Sequence, residues 1–242
     1  MPSSYEVFGR QKCRYDTCRP PLRLTGTTAC KWDTIIPFEP LWEQYKRIIK
    51  DNGAIVLTAS QPFTTDVINS ARDIFKYEII WERALSGNPF LVKKQPLKVH
   101  ENVLVFYKKF GIYNPQMTTG KMRNKKITGA FKDIKQVDNV TDQYYPRSVQ
   151  YYDNADRKNK VHPTQKPVAL FEYLIKTYTN EGDLVLDNCA GSFTTAIASE
   201  NLKRNWICIE REAEYCEIGR KRIEENRERL RILDNCAKGR MG

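Results

Sequence analysis

An apolar run that ends in an acid, followed by a loop of small residues, is the part of the chain best suited to hold a ligand. In LVLDNCAGSFTTAIA, Asp187 closes the run and Gly191 lies in the loop that opens a helix. Such a loop brings backbone N–H groups and a helix N-terminus against a ligand. Glu210 ends the next apolar run, where a carboxylate can accept hydrogen bonds from a ribose diol. The spacing indicates a nucleoside-cofactor site without choosing the cofactor, and a purely structural strand–turn–helix is the alternative.

A second short motif, HPTQKP (162–167), stands directly before an amphipathic segment. Pro167 suits the first turn of a helix, and Lys166 could meet an anionic group of a ligand there. The two histidines of the chain, His100 and His162, are interpreted as turn or packing residues rather than as ligands or bases.

The elements that must position these residues alternate along the chain. Helical spacing of apolar residues predicts helices over 39–52 (ended by Asn52-Gly53) and over VALFEYLIKTYT after Pro167. Further helices are predicted over 63–75 and, with only loosely helical spacing, over 211–233. Apolar runs of strand length occupy 54–59, 77–82, 102–109, LVLD and NWICIE. Strands alternating with helices predict an α/β fold whose mostly parallel sheet carries helices on both faces. From about 110 to 158 the chain is polar and without sustained period, so we expect irregular structure.

The composition of the chain limits the classes of molecule that it is expected to bind. A formal net charge of +11 in 242 residues favours a polyanion such as nucleic acid, a merely basic protein being the alternative. Seven cysteines without a CxxC pair, and only two histidines, argue against zinc and for reduced thiols in a cytoplasm. No apolar run approaches the ~18 residues that would predict a membrane span.

The motifs and their order resemble the β-class DNA amino-methyltransferases. The resemblance rests on HPTQKP, the amphipathic helix after it, LVLDNCAGS and the acid-ended strand. KWDTIIPFEPLWEQYKRIIKDNGAIVLTASQPF and PLKVHENVLVFYKK further resemble the segments that follow the catalytic loop of that family. The similarity covers roughly 26–109 and 158–228.

What the resemblance implies is a Rossmann-like methyltransferase fold dependent on S-adenosyl-L-methionine (AdoMet), circularly permuted so that the catalytic half comes first. It implies methyl transfer to an exocyclic amine of double-stranded DNA, adenine N6 or cytosine N4, on a flipped-out base and without a metal. The implied parts are a catalytic half over 26–109, a target-recognition region over 110–158, for which a solvated loop is the alternative, and an AdoMet-binding half over 159–242.

By position, the family's cofactor residues fall on eight residues of this chain. The backbone of the small-residue loop and Asp187 would line the methionine end, Glu210 would hold the ribose, and Lys166 and Pro167 would flank the cofactor. The loop residues of this set are Ala190, Gly191, Ser192 and Thr194.

The first departure from the family is Phe193, which stands where its loop usually has glycine. Glycine there permits close approach and often a positive φ, so a bulky residue could cost ~1–3 kcal/mol of strain. The ring could also enter the cofactor space. The alternative is that it rotates outward and AdoMet binding is only weakened.

The second departure is the catalytic loop, which in the family reads [D/N/S]-P-P-[Y/F/W] or D-L-P-Y before Gly-Thr-Thr. There the acid and a carbonyl orient the target amine and the aromatic ring stacks on the base. Leu22, Arg23, Leu24 and Thr25 precede Gly26 in this chain and supply neither group. The catalytic residues therefore stay unassigned.

The genetic code offers an explanation. Cys18–Arg23 can be encoded so that a one-base shift reads Ala-Asp-Leu-Pro-Tyr-Gly, and Gln11–Thr17 can then read Lys-Ser-Val-Asp-Met-Ile-Leu. Residues 1–25 are accordingly predicted to be an out-of-frame leader, with codon coincidence or a lineage-specific N-terminus as the alternative. The predicted function is a DNA methyltransferase, adenine N6 favoured by the D-L-P-Y reading, with impaired activity. A non-catalytic remnant that still binds DNA and an unrelated basic nucleic-acid-binding domain are the other readings, and the recognition sequence and oligomeric state stay open.

Overall fold

The computed structural model describes residues 13–18, 36–125, 139–154, 161–162 and 165–238, with residues 13–18, 124, 125 and 139 described by their backbone alone. The described strands are β1 Cys13–Cys18, β2 Ile49–Ala59, β3 Phe75–Glu82, β4 His100–Phe106, β5 Thr118–Lys125, β6 Asn139–Tyr144, β7 Val149–Tyr151, β8 Leu184–Asp187 and β9 Asn205–Cys208. The described helices are α1 Phe38–Ile48, α2 Phe63–Ser70, α3 Val168–Tyr178, α4 Thr194–Asn201 and α5 Ala213–Lys238, with a 3-10 turn at Pro89–Leu91.

Seven strands form one sheet in the order β7-β3-β4-β2-β1-β8-β9. β4 runs antiparallel to both of its neighbours, β2 and β3. The other pairings, from β2 through β1 and β8 to β9 and from β3 to β7, are parallel. The predicted α/β architecture with a mostly parallel sheet is therefore confirmed. Circular permutation stays a prediction.

Helices cover both faces of the sheet because alternate residues of its strands point in opposite directions. Val56 and Val103 pack in one apolar cluster with α3 and part of α4. Leu57 and Leu104, their neighbours in sequence, pack in the other cluster with α1 and α2. Continuous apolar runs such as AIVL are thus explained by burial on both faces.

Several boundaries differ from the sequence-based expectation. The first helix ends at Ile48, and β2 begins at Ile49, so Asn52-Gly53 lies inside an extended strand and does not end the helix. Ile49 pairs with Cys13 of β1, which shows that strand pairing overrides the local helical spacing. The helix expected over 63–75 is shorter for a similar reason, since Phe75 already pairs with Phe106.

The segment 110–158 is more regular than expected. β5 and β6 form an antiparallel two-stranded ribbon, and β7 adds a parallel strand beside β3 at the edge of the main sheet. The expectation of irregular structure was wrong because short polar strands carry no apolar alternation that a sequence reading can detect. The role of this segment in target recognition stays a prediction.

β1 lies inside the span predicted to be an out-of-frame leader. It occupies the centre of the sheet, with β2 on one side and β8 on the other, and is parallel to both. Among the described helices, none is long and apolar enough to cross a membrane.

Candidate cofactor site

The site lies where the order in which successive strands are added to the sheet reverses. From β1 the chain continues through α1, on one face, to β2, and from β8 it continues through α4, on the other face, to β9. β1 and β8 are adjacent and parallel, so their carboxyl ends border a crevice at a topological switch point. In open α/β sheets this is the position where ligands bind.

Asp187 ends β8 and fixes the start of the cofactor loop, residues 188–193. It is 6% exposed, and its carboxylate accepts a hydrogen bond from Thr195 Oγ1 at 2.5 Å and one from the Cys189 N–H at 3.1 Å. Tyr45 of α1 donates its hydroxyl to Asn188 Oδ1 at 3.1 Å. The acid therefore ties the strand end, the loop and the first turn of α4 together.

Glu210 joins the cofactor loop to the segment after β9. One carboxylate oxygen accepts the Gly191 N–H at 2.7 Å, and the other accepts the N–H groups of Arg211 and Glu212 at 2.8 and 3.0 Å. Strand β9 ends at Cys208, so Glu210 lies two residues beyond the strand that it was expected to end. Because a carboxylate offers about four acceptor positions, this arrangement leaves room for one more donor such as a sugar hydroxyl.

The loop itself contains two residues with left-handed backbone. Gly191 has φ +52°, and Phe193, the N-cap of α4, has φ 59° and ψ 32°. The expectation that a glycine-favouring conformation is forced on Phe193 is confirmed, with a cost of the order of 1–3 kcal/mol.

The Phe193 ring is accommodated between α4 and α5. It is 8% exposed and packs in a cluster with Ala190, Ala196 and Ile223. A Cβ atom added to Gly219 of α5 would lie 2.2 Å from Phe193 Cδ2. Gly219 is therefore the residue whose missing side chain makes room for the ring, and the sequence reading did not identify it.

Ser192 and Thr194 are buried in the same loop. Their hydroxyls lie 3.4 Å apart, and the Thr194 hydroxyl reaches the backbone oxygen of Lys166 at 3.5 Å. Arg222 of α5 donates to the Ser192 carbonyl, and burial lowers the pKa of its guanidinium. The residues Ala190, Gly191, Ser192, Thr194, Asp187 and Glu210 are thus brought together around one loop.

Lys166 contacts this region through its backbone carbonyl, which lies 3.5 Å from the Thr194 hydroxyl. Pro167 is the N-cap of α3, with ψ 135°, and the helix begins at Val168, the first residue of the predicted segment VALFEYLIKTYT. The buried Lys166 ammonium forms an ion pair with Glu101 of β4 and lies 4.9 Å above the Trp81 ring. Arg83 approaches the other oxygen of Glu101 at 3.0 Å. Sequence reasoning missed Glu101, although a glutamate opening the apolar run NVLVF was a signal that could have drawn attention.

His162 packs as expected. It is 7% exposed, its ring centroid is 4.2 Å from that of Tyr215, and its Nε2 would lie 3.3 Å from a Cβ added to Gly191. Residues 22–25, the predicted position of the missing catalytic groups, lie outside the described residues. No cluster of potential metal ligands occurs within the described part of the chain.

Comparison with known proteins agrees with this geometry. A family model for N6/N4 methyltransferases, described as DNA methylase, matches residues 30–221. DNA adenine methyltransferase YhdJ of Escherichia coli K12 is 30% identical over 192 residues, which is 74% of this chain and 63% of YhdJ. Type II methyltransferase M2.DpnII of Streptococcus pneumoniae is 48% identical over 67 residues, or 28% of this chain. The aligned part spans 25% of M2.DpnII.

Solved structures show the same fold. The M1.HpyAVI–SAM complex superposes with a TM-score of 0.59 at 25% identity, over 88% of this chain and 89% of that one. The PvuII cytosine-N4-specific DNA methyltransferase superposes with a TM-score of 0.60 at 17% identity, over 93% of this chain and 88% of that one. The Rossmann-like methyltransferase architecture expected from the motifs is thereby confirmed.

Proposed function

The chain belongs to the N6/N4 DNA methylase family, and from this premise we propose that it is a bacterial cytoplasmic DNA amino-methyltransferase impaired by the loss of its catalytic loop and by Phe193 in its cofactor loop. The observation that carries the proposal is the Glu210–Gly191 contact. It links the acid that follows β9 to the glycine loop that follows β8, beside the switch point between β1 and β8. The proposed acceptor is adenine N6, which the shifted D-L-P-Y reading and the relative YhdJ both favour.

The residues present fit AdoMet as the cofactor. Glu210 has an acceptor position suited to a ribose hydroxyl. Gly191 has no side chain, so a ligand can approach the loop backbone closely at its left-handed turn. Phe193 packs its ring against Gly219, which is compatible with a loop that still binds the cofactor, although more weakly. When bound, AdoMet supplies an electrophilic methyl group. Asp187 and Thr195 then hold the loop in place, and Glu210 orients the nucleoside part.

Loss of the catalytic loop is the second part of the proposal. β1 ends at Cys18, and in the shifted reading the next residue in the sequence is the aspartate of D-L-P-Y. The shifted reading of β1 is Val-Asp-Met-Ile-Leu-Ala, whereas the chain has CRYDTC. A strand with two parallel neighbours is typically an apolar run, so the shifted sequence suits this central position better.

The proposed transfer needs groups that residues 22–25 do not supply. An acid and a loop carbonyl would accept hydrogen bonds from the amine of a flipped base, and an aromatic ring would stack on that base. Those groups would hold the lone pair of the amine in line with the methyl group that AdoMet would supply. A non-catalytic chain that binds AdoMet and DNA is the second candidate, favoured by Leu22, Arg23, Leu24 and Thr25 before Gly26.

Two measurements test the proposal. Calorimetry should detect AdoMet binding, and labelled-methyl transfer to bacterial DNA should be at background for the chain as written. The variant L22D/R23L/L24P/T25Y should gain transfer, and its combination with Phe193→Gly shows which lesion limits the rate. Absence of AdoMet binding by both the chain and Phe193→Gly would overturn the proposal. Transfer by the unaltered chain would refute the impairment.

A further inference from the structure

The loop that joins β3 to β4, residues 83–99, leaves the sheet at the edge that carries the cofactor site. β2 and β3 are both antiparallel to β4 and are therefore parallel to each other. Since β2 is parallel to β1 and β1 to β8, the carboxyl end of β3 at Glu82 lies at the same edge as Asp187. The β3–β4 loop and the cofactor loop therefore lie at the same edge of the sheet.

The β3–β4 loop has a fixed shape. Asn88 bridges its two arms, since its amide donates to the Pro96 carbonyl at 3.1 Å and its side-chain oxygen accepts the Lys98 N–H at 2.6 Å. The tip is a 3-10 turn, Pro89–Leu91, closed by a hydrogen bond from the Leu91 N–H to the Asn88 carbonyl at 3.0 Å. The Lys94 N–H then donates to the Leu91 carbonyl at 2.8 Å. The tip residues are therefore held in position before any partner arrives.

This rigid tip presents apolar side chains to water. Phe90 is 97% exposed, and Leu91 and Val92 beside it are 41% and 57% exposed. A buried phenylalanine contributes stability that this turn forgoes, so Phe90 does not serve the fold. Adjacent exposed apolar residues with a polar rim are typical of a contact surface.

The side-chain charges of the β3–β4 loop favour a polyanionic partner. Residues 83–99 contain four cationic and no acidic side chains. Arg83 is paired with Glu101, but Lys93, Lys94 and Lys98 form no ion pair within the described part of the chain. Lys93 and Lys94 follow the apolar tip directly and are exposed. A second copy of the same surface would be repelled, whereas a polyanion would be attracted.

We propose that the β3–β4 loop contacts duplex DNA, with Lys93 and Lys94 at the phosphates and Phe90 inserted as an apolar wedge into the base stack. Apolar side chains that enter a base step unstack it and lower the cost of moving a nucleotide out of the duplex. The inference rests on the proposed function, because it assumes that the chain binds DNA.

Fluorescence anisotropy with labelled duplex DNA, intact or with one abasic nucleotide, tests the wedge. The full chain should bind the abasic duplex more tightly, because an abasic position accepts the ring without breaking a base pair. Phe90→Ala should weaken binding to it about fivefold or more and remove that preference. The control is Leu233→Ala, since Leu233 is 53% exposed near the C-terminal end of α5 and lies outside the segments proposed to contact DNA. Near-complete exposure of Phe90 means that its truncation leaves the fold intact, which circular dichroism checks.

The lysines have their own matched control. K93Q/K94Q should lower the slope of log affinity against log salt by about two, whereas K108Q/K109Q, whose lysines pair with Asp51 at the opposite edge, should change it less. Equal binding of Phe90→Ala and Leu233→Ala would overturn the wedge while leaving the proposed function standing. No DNA binding by the full chain would overturn both. A Phe90→Ala variant that only converts a dimer to a monomer in sedimentation would assign the tip to self-association and refute the proposal.

Discussion

Glu210 shows how much one side chain can organise. Its carboxylate accepts three backbone N–H groups, one from the cofactor loop and two from the turn after β9. Hydrogen bonds to a charged acceptor are stronger than neutral ones, so this residue fixes the distance between the two segments that would enclose a nucleoside. The same negative charge is what a ribose hydroxyl would meet.

At this scale we predict that Glu210→Gln weakens AdoMet binding about tenfold or more. Glutamine keeps one acceptor oxygen but turns an N–H donor toward the backbone N–H groups, and a hydrogen bond to a charged group contributes ~1.5–3 kcal/mol. Calorimetric titration measures the effect, and thermal denaturation verifies that the variant is folded. Glu217→Gln, an exposed acid on α5 that pairs with Arg220, is the control and should bind normally. Unchanged affinity of Glu210→Gln would remove this residue from the site.

The buried thiol of Cys208 is a second residue fixed by the site. Burial raises the pKa of this thiol well above its ordinary value, and the negative charge of Asp187 raises it further. Cys208 is therefore held protonated beside the loop and is unsuited to act as a nucleophile. The four described cysteines, Cys189, Cys208, Cys216 and Cys236, are free thiols, in keeping with the expectation drawn from their number and spacing.

Among the elements, α4 and α5 are matched to each other through one ring. Phe193, at the end of the cofactor loop, has a left-handed backbone conformation, and its ring packs against α5 at Gly219. A glycine within a helix costs ~1 kcal/mol relative to alanine, so its presence inside α5 needs a packing reason. The contact with Phe193 supplies that reason.

We predict strong coupling between these two positions. Gly219→Ala alone should destabilise the protein by ~1–3 kcal/mol, because its Cβ would collide with the ring. Phe193→Gly alone should also destabilise, since the loss of a buried ring outweighs the relief of backbone strain. In the Phe193→Gly background, Gly219→Ala should be neutral or stabilising by up to ~1 kcal/mol. Urea unfolding of the unaltered protein, the two single variants and the double variant measures this coupling. Additive changes in the free energy of unfolding would contradict the prediction.

For the molecule as a whole, aromatic contacts connect the segment 110–158 to the cofactor half. The Tyr152 ring lies 6.0 Å from that of Tyr173 in α3, and the Tyr152 carbonyl accepts the Trp81 indole N–H at 3.0 Å. Burial raises the pKa of both Tyr152 and Tyr173 to about 12. The contact between Tyr152 and α3 is therefore stable only while the phenol groups of Tyr152 and Tyr173 are neutral.

This gives a prediction for alkaline stability. In the unfolded chain a tyrosine ionises near pH 10, so the contribution of these phenols is complete below about pH 10 and is lost as pH rises toward 12. Replacing both by phenylalanine should flatten the fall in the melting temperature between about pH 10 and 12. Tyr145→Phe, at an exposed position, is the control and should leave the slope unchanged. An identical slope in all three proteins would show that the junction does not titrate as a unit.

Local pattern in the sequence determined a large part of this protein. Small-residue loops after acid-ended strands, and apolar runs long enough for strands, depend only on neighbours in the chain. They located Asp187, Gly191 and Glu210 and predicted the α/β sheet that the structure contains. The left-handed conformation of Phe193 was expected from the glycine that the resembling family has at this position.

Only the tertiary structure decided the contacts between distant segments. It paired Lys166 with Glu101, placed Gly219 under the Phe193 ring, and converted the residues after Ile48 into a strand. It also brought the exposed Phe90 to the edge of the sheet that carries the cofactor loop, through a series of strand pairings. None of these is encoded in local spacing, since each depends on which strands lie side by side and on the space between helices. Sequence thus determined which groups are available for chemistry, and packing decided which of them meet.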